Sequence, residues 1–344
     1  MSMIRVLIVD DSLFMRTVVR DMLQADPEIE VVGTAADGVY AMELIEELRP
    51  DVMTLDIEMP RMSGLDLLEK RRTFSSFPRT IMLSSLTVQG GESTNKALRL
   101  GADDFILKPR GIENMRAIQR ELITKIQNAV RISYVKVQDP PREEIARDLV
   151  LIGSSAGGPP MLDVVLSSFK KSLDAAVIIV QHMPEGGFTA ALAARLNRLS
   201  VMPVRETATG TALYKGQVLV AKAGYHALVT ATLSAQGEKG GKIIHSRSPP
   251  LHGVRPAADR TFTTAAPVFE NHMISVLLSG MGNDGGEGCA EIKKHGGTTI
   301  IAREEDCLVY GMARSALRNN CVDRVLPVHG IADDITRNLT RMVT

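Results

Sequence analysis

The chain lacks a charge surplus, a cysteine framework and any apolar run of membrane length. Lysine plus arginine number 40 and aspartate plus glutamate number 40, so the formal net charge is zero. That balance gives no bulk attraction to nucleic acid or to an anionic membrane. Cys289, Cys307 and Cys321 are the only cysteines, and they form no CxxC pair. An odd thiol without a partner spacing reads as reduced core cysteines of a cytosolic protein. The N-terminus runs directly into a strand-like Ile4–Val9, without an apolar h-region, so no signal peptide is expected. No stretch reaches the roughly 18–20 apolar residues of a membrane span, which excludes membrane insertion by a helix. No long-period repeat or low-complexity tract is present. Histidine is absent before residue 182. Histidine is the usual general base at neutral pH, so base-catalysed chemistry belongs to the second half.

With 344 residues the length favours about two domains. Arg5–Val9, Val31–Val32, Val52–Leu55, Ile81–Leu83 and Phe105–Leu107 are apolar runs of strand length separated by helical spacings. Ile112, Met115, Ile118, Leu122 and Ile126 form a closing helical stripe. Such alternation implies a parallel sheet covered on both faces. Residues 131–147 turn polar and proline-bearing around Asp139-Pro140-Pro141, which marks a linker. Strand-like runs resume at Leu149–Gly153, Ala176–Gln181, Gln217–Ala221, Met273–Ser279 and Thr298–Ala302. Tyr225–Thr232 and Lys242–Ser246 read as a hairpin turned by Gly237, Gly240 and Gly241. The fold expected is α/β with two doubly wound domains. Residues 1–125 form a five-stranded parallel domain and 126–147 a linker. Residues 148–344 form a mostly parallel sheet with a β-hairpin.

Asp10 and Asp11 stand where the first strand ends, Asp56 ends the third, Ser84 the fourth, and Lys108 follows the fifth. Taken singly, strand-end acids are solvated or cap the next helix. Five such groups at one edge of an open parallel sheet, where ligands bind, point instead to a site. Asp10, Asp11 and Asp56 suit a hard cation such as Mg2+. The metal would allow Asp56 to act as a nucleophile toward a phosphoryl donor. Lys108 can bind the transferred oxygens, and Ser84 can hydrogen-bond one of them.

In the second half, Gly153-Ser154-Ser155-Ala156-Gly157 sits between a strand and a helix. A serine on such a turn exposes its hydroxyl near backbone N–H groups. Ser155 centres the GxSxG pattern and is the candidate nucleophile. A glycine-rich turn can equally cradle phosphate. The spacing is not GxGxxG, however, and no acid follows a second strand at the dinucleotide interval. His182 follows another strand, and Asp284 lies on the turn after a later one. The three groups therefore fall on one sheet edge, as a base and an orienting acid for serine require.

These motifs carry two resemblances. Ile8-Val-Asp-Asp-Ser12, Leu55-Asp-Ile-Glu-Met-Pro60, Met82-Leu-Ser-Ser85 and Lys108-Pro109 resemble a two-component receiver domain. That resemblance implies Asp56 as phosphoacceptor, with Asp10 and Asp11 holding Mg2+. It implies Ser84 (Ser85 as an alternative) and Lys108 as phosphoryl sensors, and Phe105 as the aromatic switch. Ile152-Gly-Ser-Ser-Ala-Gly-Gly158, Gln181-His-Met-Pro184, Gly280-Met-Gly-Asn-Asp-Gly285 and Val309-Tyr-Gly-Met312 resemble the catalytic domain of chemotaxis protein-glutamate methylesterases. This second resemblance implies Ser155, His182 and Asp284 as the triad and Met281 lining the oxyanion site. Ala156 stands where that family usually has Thr. It further implies a cytoplasmic enzyme that demethylates glutamate methyl esters on the cytoplasmic helices of methylated chemoreceptors and also deamidates receptor glutamines. A chemotaxis histidine kinase is the implied phosphodonor. No cofactor is expected for ester hydrolysis, and no nucleic acid as partner. The combination predicts an esterase obstructed by its unphosphorylated receiver. A response regulator with a non-catalytic binding output and a general serine esterase are the alternatives.

Overall fold

A computed structural model of the chain describes residues 3–74, 76–84, 93–94, 96–98, 100–108, 115–131, 143–233 and 237–342. The chain divides into two compact units.

The first unit alternates strand and helix: β1 (Ile4–Val9), α1 (Leu13–Gln24), β2 (Ile29–Ala35), α2 (Gly38–Leu48), β3 (Val52–Asp56), α3 (Gly64–Glu69), β4 (Arg79–Ser84), β5 (Asp104–Leu107) and α4 (Met115–Arg131). The five strands pair in parallel in the order β2-β1-β3-β4-β5. Val6, Ile8, Val52, Ile81 and Ile106 on one sheet face pack with Val19 and Leu23 of α1 and with Leu122 and Ile126 of α4. Ser12 caps α1 by accepting the Met15 N–H, and Asp37 caps α2 by accepting from Val39 and Tyr40. Residues 126–131, assigned to the linker from sequence, continue helix α4. The stripe residue Ile112 lies outside the described residues.

The second unit contains β6 (Asp148–Ser154), α5 (Gly158–Ser168), β7 (Ala175–Gln181), α6 (Phe188–Leu199, of which residues 188–191 group with the first unit), β8 (Val204–Glu206), β9 (Gln217–Val220), β10 (His226–Leu233), β11 (Lys239–Ser246), α7 (Ala258–Phe269), β12 (Met273–Leu277), α8 (Gly286–Lys294), β13 (Thr298–Ala302), α9 (Gly311–Arg318), β14 (Arg324–Leu326) and α10 (Ile331–Met342). Seven strands form one parallel sheet in the order β14-β13-β12-β6-β7-β9-β8. Side chains alternate across a strand, so β6 serves two cores. Val150 and Ile152 pack with Leu162 and Leu166 of α5, while Leu149 and Leu151 pack with Phe262 and Ala266 of α7. Both faces are covered, which is why the strand reads as a continuous apolar run rather than an alternating one.

β10 and β11 form the expected antiparallel hairpin. Gly240 and Gly241, however, lie within β11 rather than in the turn. A Cβ on Gly240 would stand 2.1 Å from the Ile145 Cγ2, and one on Gly241 would stand 2.7 Å from the Phe269 ring. These glycines serve close packing, not chain reversal. Ile145 forms a bridge with Tyr214, and Ala146 donates its N–H to the Leu213 carbonyl, so residues 145 and 146 belong structurally to the second unit.

Phe262 is fully buried beneath the sheet. Phe262→Ala should destabilise the second unit by about 3–5 kcal/mol. Calorimetry of the full chain would record this as a lowered transition for the second unit, with the first unit's transition unmoved.

Candidate functional site

In both units the candidate residues sit at the carboxyl ends of strands, where the strand order reverses. In the second unit β6 is followed by β7 on one side, while β12 lies on its other side and leads outward to β13 and β14. Ser155 follows β6, His182 follows β7 and Asp284 follows β12, so the three central strands each deliver one residue. Such a reversal leaves a crevice between the connections of adjacent strands.

His182 Nε2 lies 2.6 Å from Asp284 Oδ2. The Asp284 carboxylate also accepts the N–H of Ala258 (2.6 Å) and of Asp259 (3.0 Å), the first residues of α7. Burial pushes the Asp284 pKa up, but the His182 hydrogen bond and charge and the two helix N–H groups outweigh it. Its carboxyl is held below the usual value of 3.8. The helix N-terminus favours the same charged form. Asp284 is 1 % exposed, so few of these interactions are screened by solvent.

Gln181 ties the two neighbouring strand ends together. Its Nε2 donates to the carbonyls of Ser155 and His182, each at 3.0 Å, and the Ser154 hydroxyl donates to its Oε1 at 2.6 Å. Ser154 is thus engaged within the sheet. Ser155 lies beyond the strand and is half-buried, and its hydroxyl has no hydrogen-bond partner among the described residues. Its own N–H donates to the Ser279 carbonyl at 2.9 Å. Gly157, at φ 75°, takes the left-handed turn that starts α5, a conformation glycine adopts without a steric penalty. Ala156 is exposed, as is Met281, at 75 %. The structure therefore joins His182 to Asp284 directly and places Ser155 on the adjacent strand end, without a hydrogen bond between Ser155 and His182.

Sequence reasoning missed the surroundings of Asp284. Asp259 accepts the Gly288 N–H (2.7 Å) and pairs with His252 Nε2 (2.9 Å). Its burial, with the nearby Asp284 charge adding to it, pushes its pKa up to about 6 against the pull of Gly288 and His252. His252, Asp259 and Asp284 lie close enough to share a cation, but each carboxylate is already occupied by the N–H donors and histidines named above. The signal in the sequence was only an acid in the first turn of a helix.

In the first unit Lys108 Nζ bridges Asp10 Oδ2 (3.0 Å) and Asp56 Oδ2 (2.8 Å). Asp10 Oδ1 accepts the Ser12 N–H and Asp56 Oδ1 the Ile57 N–H. Burial drives the Asp56 pKa up to about 6; Lys108 opposes this and Asp10 adds to it. Asp10, Asp11 and Asp56 offer carboxylate oxygens within 4.8 Å of one another. Carboxylates outnumber cations there, an all-oxygen donor set that fits a hard divalent ion. A cleft of about 620 Å3 opens beside Asp11, lined by Ile57, Glu58, Met59 and Pro60. Phe105 lies in β5; Lys125 Nζ donates to its carbonyl at 2.6 Å and stands 5.2 Å from its ring centroid. Ser84 ends β4; its side chain, and all of Ser85 and Pro109, lie outside the described residues.

Asp284→Asn leaves one of the two helix N–H donors facing an amide NH2. At pH 7 this should cost the second unit about 1–3 kcal/mol. A carboxyl held below its unfolded pKa stabilises the fold above that value and loses the contribution as pH falls through the lowered one. The difference between wild type and variant in urea unfolding should therefore be full above about pH 5 and shrink progressively as pH falls below the unfolded value of 3.8 and through the lowered folded one.

Comparison with known proteins supplies the family. Residues 150–335 match the CheB methylesterase family, and residues 6–120 match the response regulator receiver domain. The chain is 57% identical over 340 residues to the protein-glutamate methylesterase/protein-glutamine glutaminase 1 of Methanospirillum hungatei, covering 99% of each. It is 39% identical to the protein-glutamate methylesterase/protein-glutamine glutaminase of Thermotoga maritima, covering 96% of this chain and 97% of that one. The crystal structure of the Thermotoga maritima CheB methylesterase catalytic domain superposes with a TM-score of 0.52 at 35% identity, covering 56% of this chain and 98% of that one. The chain belongs to the CheB methylesterase family, with a response regulator receiver domain preceding the methylesterase domain.

Proposed function

We propose that the chain hydrolyses γ-methyl esters of glutamate on chemoreceptor helices, releasing methanol, in chemotaxis adaptation, and also deamidates particular receptor glutamines. The observation that carries this reading is the His182–Asp284 contact of 2.6 Å, on the strand end next to that of Ser155, whose hydroxyl has no hydrogen-bond partner among the described residues. Ser155 attacks the ester carbonyl while His182 takes its proton. Since Nε2 of His182 faces Asp284, Nδ1 is the nitrogen left for the serine. Asp284 holds that tautomer and stabilises the imidazolium. The Ser155 N–H is already donated to Ser279, so the amides at Ala156 and Met281 are the candidates to receive the oxyanion. His182 returns the proton to the departing methoxide, which leaves as methanol. Water, deprotonated by His182, then cleaves the acyl-enzyme to glutamate and regenerates Ser155.

The first unit supplies the control. Asp56 accepts a phosphoryl group from a histidine kinase; Asp10, Asp11 and Asp56 would hold Mg2+, which would supply positive charge to offset that of the incoming phosphoryl group. Lys108 and Ser84 bind the phosphoryl oxygens, and Phe105 relays the change. We assign the residues up to 131, where α4 ends, to the receiver, those from 145 onward to the catalytic domain, and the residues between to the linker. The reaction would take place in the cytoplasm, where receptor helices and kinase meet. The symmetry of carboxylate excess in one unit and a serine–histidine–aspartate set in the other favours a phosphorylation-controlled enzyme over a pure binding output.

Ser155→Ala should reduce methanol release from methylated receptor membranes by about 10^4-fold or more, while Ser154→Ala should retain most of the activity. In the same assay, a small-molecule phosphodonor with Mg2+ should raise the activity of the wild type. Asp56→Asn should abolish that response and leave the triad intact.

A further inference from the structure

We infer that a cationic, aromatic face built on Tyr225, His245 and Arg247 receives acidic residues flanking the ester in the protein substrate. The inference rests on the esterase reading above and names what that site selects.

Charge is the first observation. Between residues 222 and 260 lie Lys222, Lys239, Lys242, Arg247, Arg255 and Arg260 against only Glu238 and Asp259, in a chain whose net charge is zero. Asp259 is buried, so it does not offset the surface charge. Lys222 pairs with Glu206 at 3.6 Å and Arg255 with Glu185 at 3.4 Å, so the basic excess of this segment is carried by the remaining cations, Arg247 among them.

Preorganisation is the second. The Arg247 guanidinium lies 4.8 Å from the centroid of the Tyr225 ring and donates to the Tyr225 hydroxyl at 2.7 Å. Tyr225 stacks on His245, with centroids 5.1 Å apart and planes at 27°. His245 Nε2 is in turn 2.9 Å from the Thr207 hydroxyl. Burial, assisted by Lys222 and opposed by Glu206, lowers the His245 pKa. Arg247 is exposed and has no carboxylate partner among the described residues. A guanidinium fixed on an aromatic stack, with donors still turned outward, is suited to bidentate carboxylate recognition.

The third observation is connection to the reacting groups. The Gly224 N–H, next to Tyr225, donates to the Arg255 carbonyl at 3.1 Å. Arg255 Nη1 holds the carbonyls of Arg247 and Ser248, each at 3.2 Å, and its Nη2 pairs with Glu185 at 3.4 Å. Glu185 lies three residues after His182, and Ala258, three residues after Arg255, binds Asp284. The cationic face is therefore fastened to both the base and its orienting acid.

The substrate ester is neutral, so cations at this rim do not recognise the reacting group. They recognise free carboxylates on the same helix face, at three or four residues from the ester. The face thereby selects esters embedded in an acidic segment over isolated ones, and electrostatic complementarity of this kind acts through selection and encounter.

The test uses the full chain and two synthetic helical peptides. Each carries one γ-methyl glutamate, flanked at three and four residues on both sides by glutamates in one peptide and by serines in the other. Methanol release gives kcat and KM for wild type, Arg247→Glu and Arg247→Lys. Wild type should show a KM about fivefold lower for the glutamate-flanked peptide at low ionic strength, and the preference should shrink as salt is added. Arg247→Glu should abolish or invert the preference. Arg247→Lys should keep part of it, since charge remains but the planar fork is lost. Equal KM values in the wild type, or an undiminished preference in Arg247→Glu, would overturn the inference while leaving the esterase reading in place. Methanol from neither peptide would overturn the esterase reading, and the inference with it.

Discussion

A charged Asp284, 1 % exposed at the end of a central strand, is the constraint around which the second unit is arranged. Removing a carboxylate from water costs several kcal/mol unless directed donors replace the solvent. Here the replacements are two N–H groups at the start of α7 and the imidazole of His182. The first two require α7 to begin against the turn that follows β12. The helix is held there by Phe262, Ala265, Ala266 and Phe269 packing beneath the sheet. The loop between the hairpin and α7 must then run past the His182 loop, and Arg255 fixes it there through carbonyls and Glu185. Core packing, hairpin placement and site geometry follow from satisfying one buried charge.

The two carboxylate sites resolve the same problem in opposite ways. Around Asp284 donors are abundant, and its pKa is depressed. Around Asp56 burial dominates, and Lys108 is shared between Asp56 and Asp10, so the Asp56 carboxyl is pushed up to about 6. The first arrangement keeps its anion without any added ion and can orient an imidazole. The second lacks positive charge, a deficit that a hard cation would fill. Asp259 shows the intermediate case. Close to the charged Asp284 and buried with it, it is pushed up to about 6 even with His252 and the Gly288 N–H in contact. Proximity divides the charge between the two acids in favour of the one facing His182.

The strand-end residues were legible in the sequence because fully buried parallel strands are short apolar runs, and the residue that ends each run falls on one edge of the sheet. This made Asp10, Asp56, Ser155 and His182 readable as strand-end residues without coordinates, and Asp284 as a residue of the turn after β12. The hairpin was readable as two strands, but Gly240 and Gly241 were read as turn residues. A glycine needed for close approach to Ile145 or Phe269 has the same local signature as one needed for chain reversal. β8 and β14, three residues each, carry too little periodicity to be seen. The His252–Asp259 pair and the Arg247–Tyr225–His245 stack were not legible, because they depend on how the hairpin and its following loop meet α7. No local pattern encodes that meeting.

Two adjacent serines illustrate how narrowly position decides chemistry. Ser154 is the last ladder residue of β6, opposite Gln181, and its hydroxyl is consumed by the Gln181 side-chain oxygen. One residue on, the ladder has ended and the chain turns into α5, so Ser155 leaves the sheet with its hydroxyl unclaimed. The same glutamine donates to the carbonyls of Ser155 and His182. It therefore fixes the separation between the two strand ends through their backbone carbonyls. A buried amide that accepts from one serine hydroxyl and donates to the backbone carbonyl of the next ties the ends of β6 and β7 to each other, and a network whose members are all engaged is rigid.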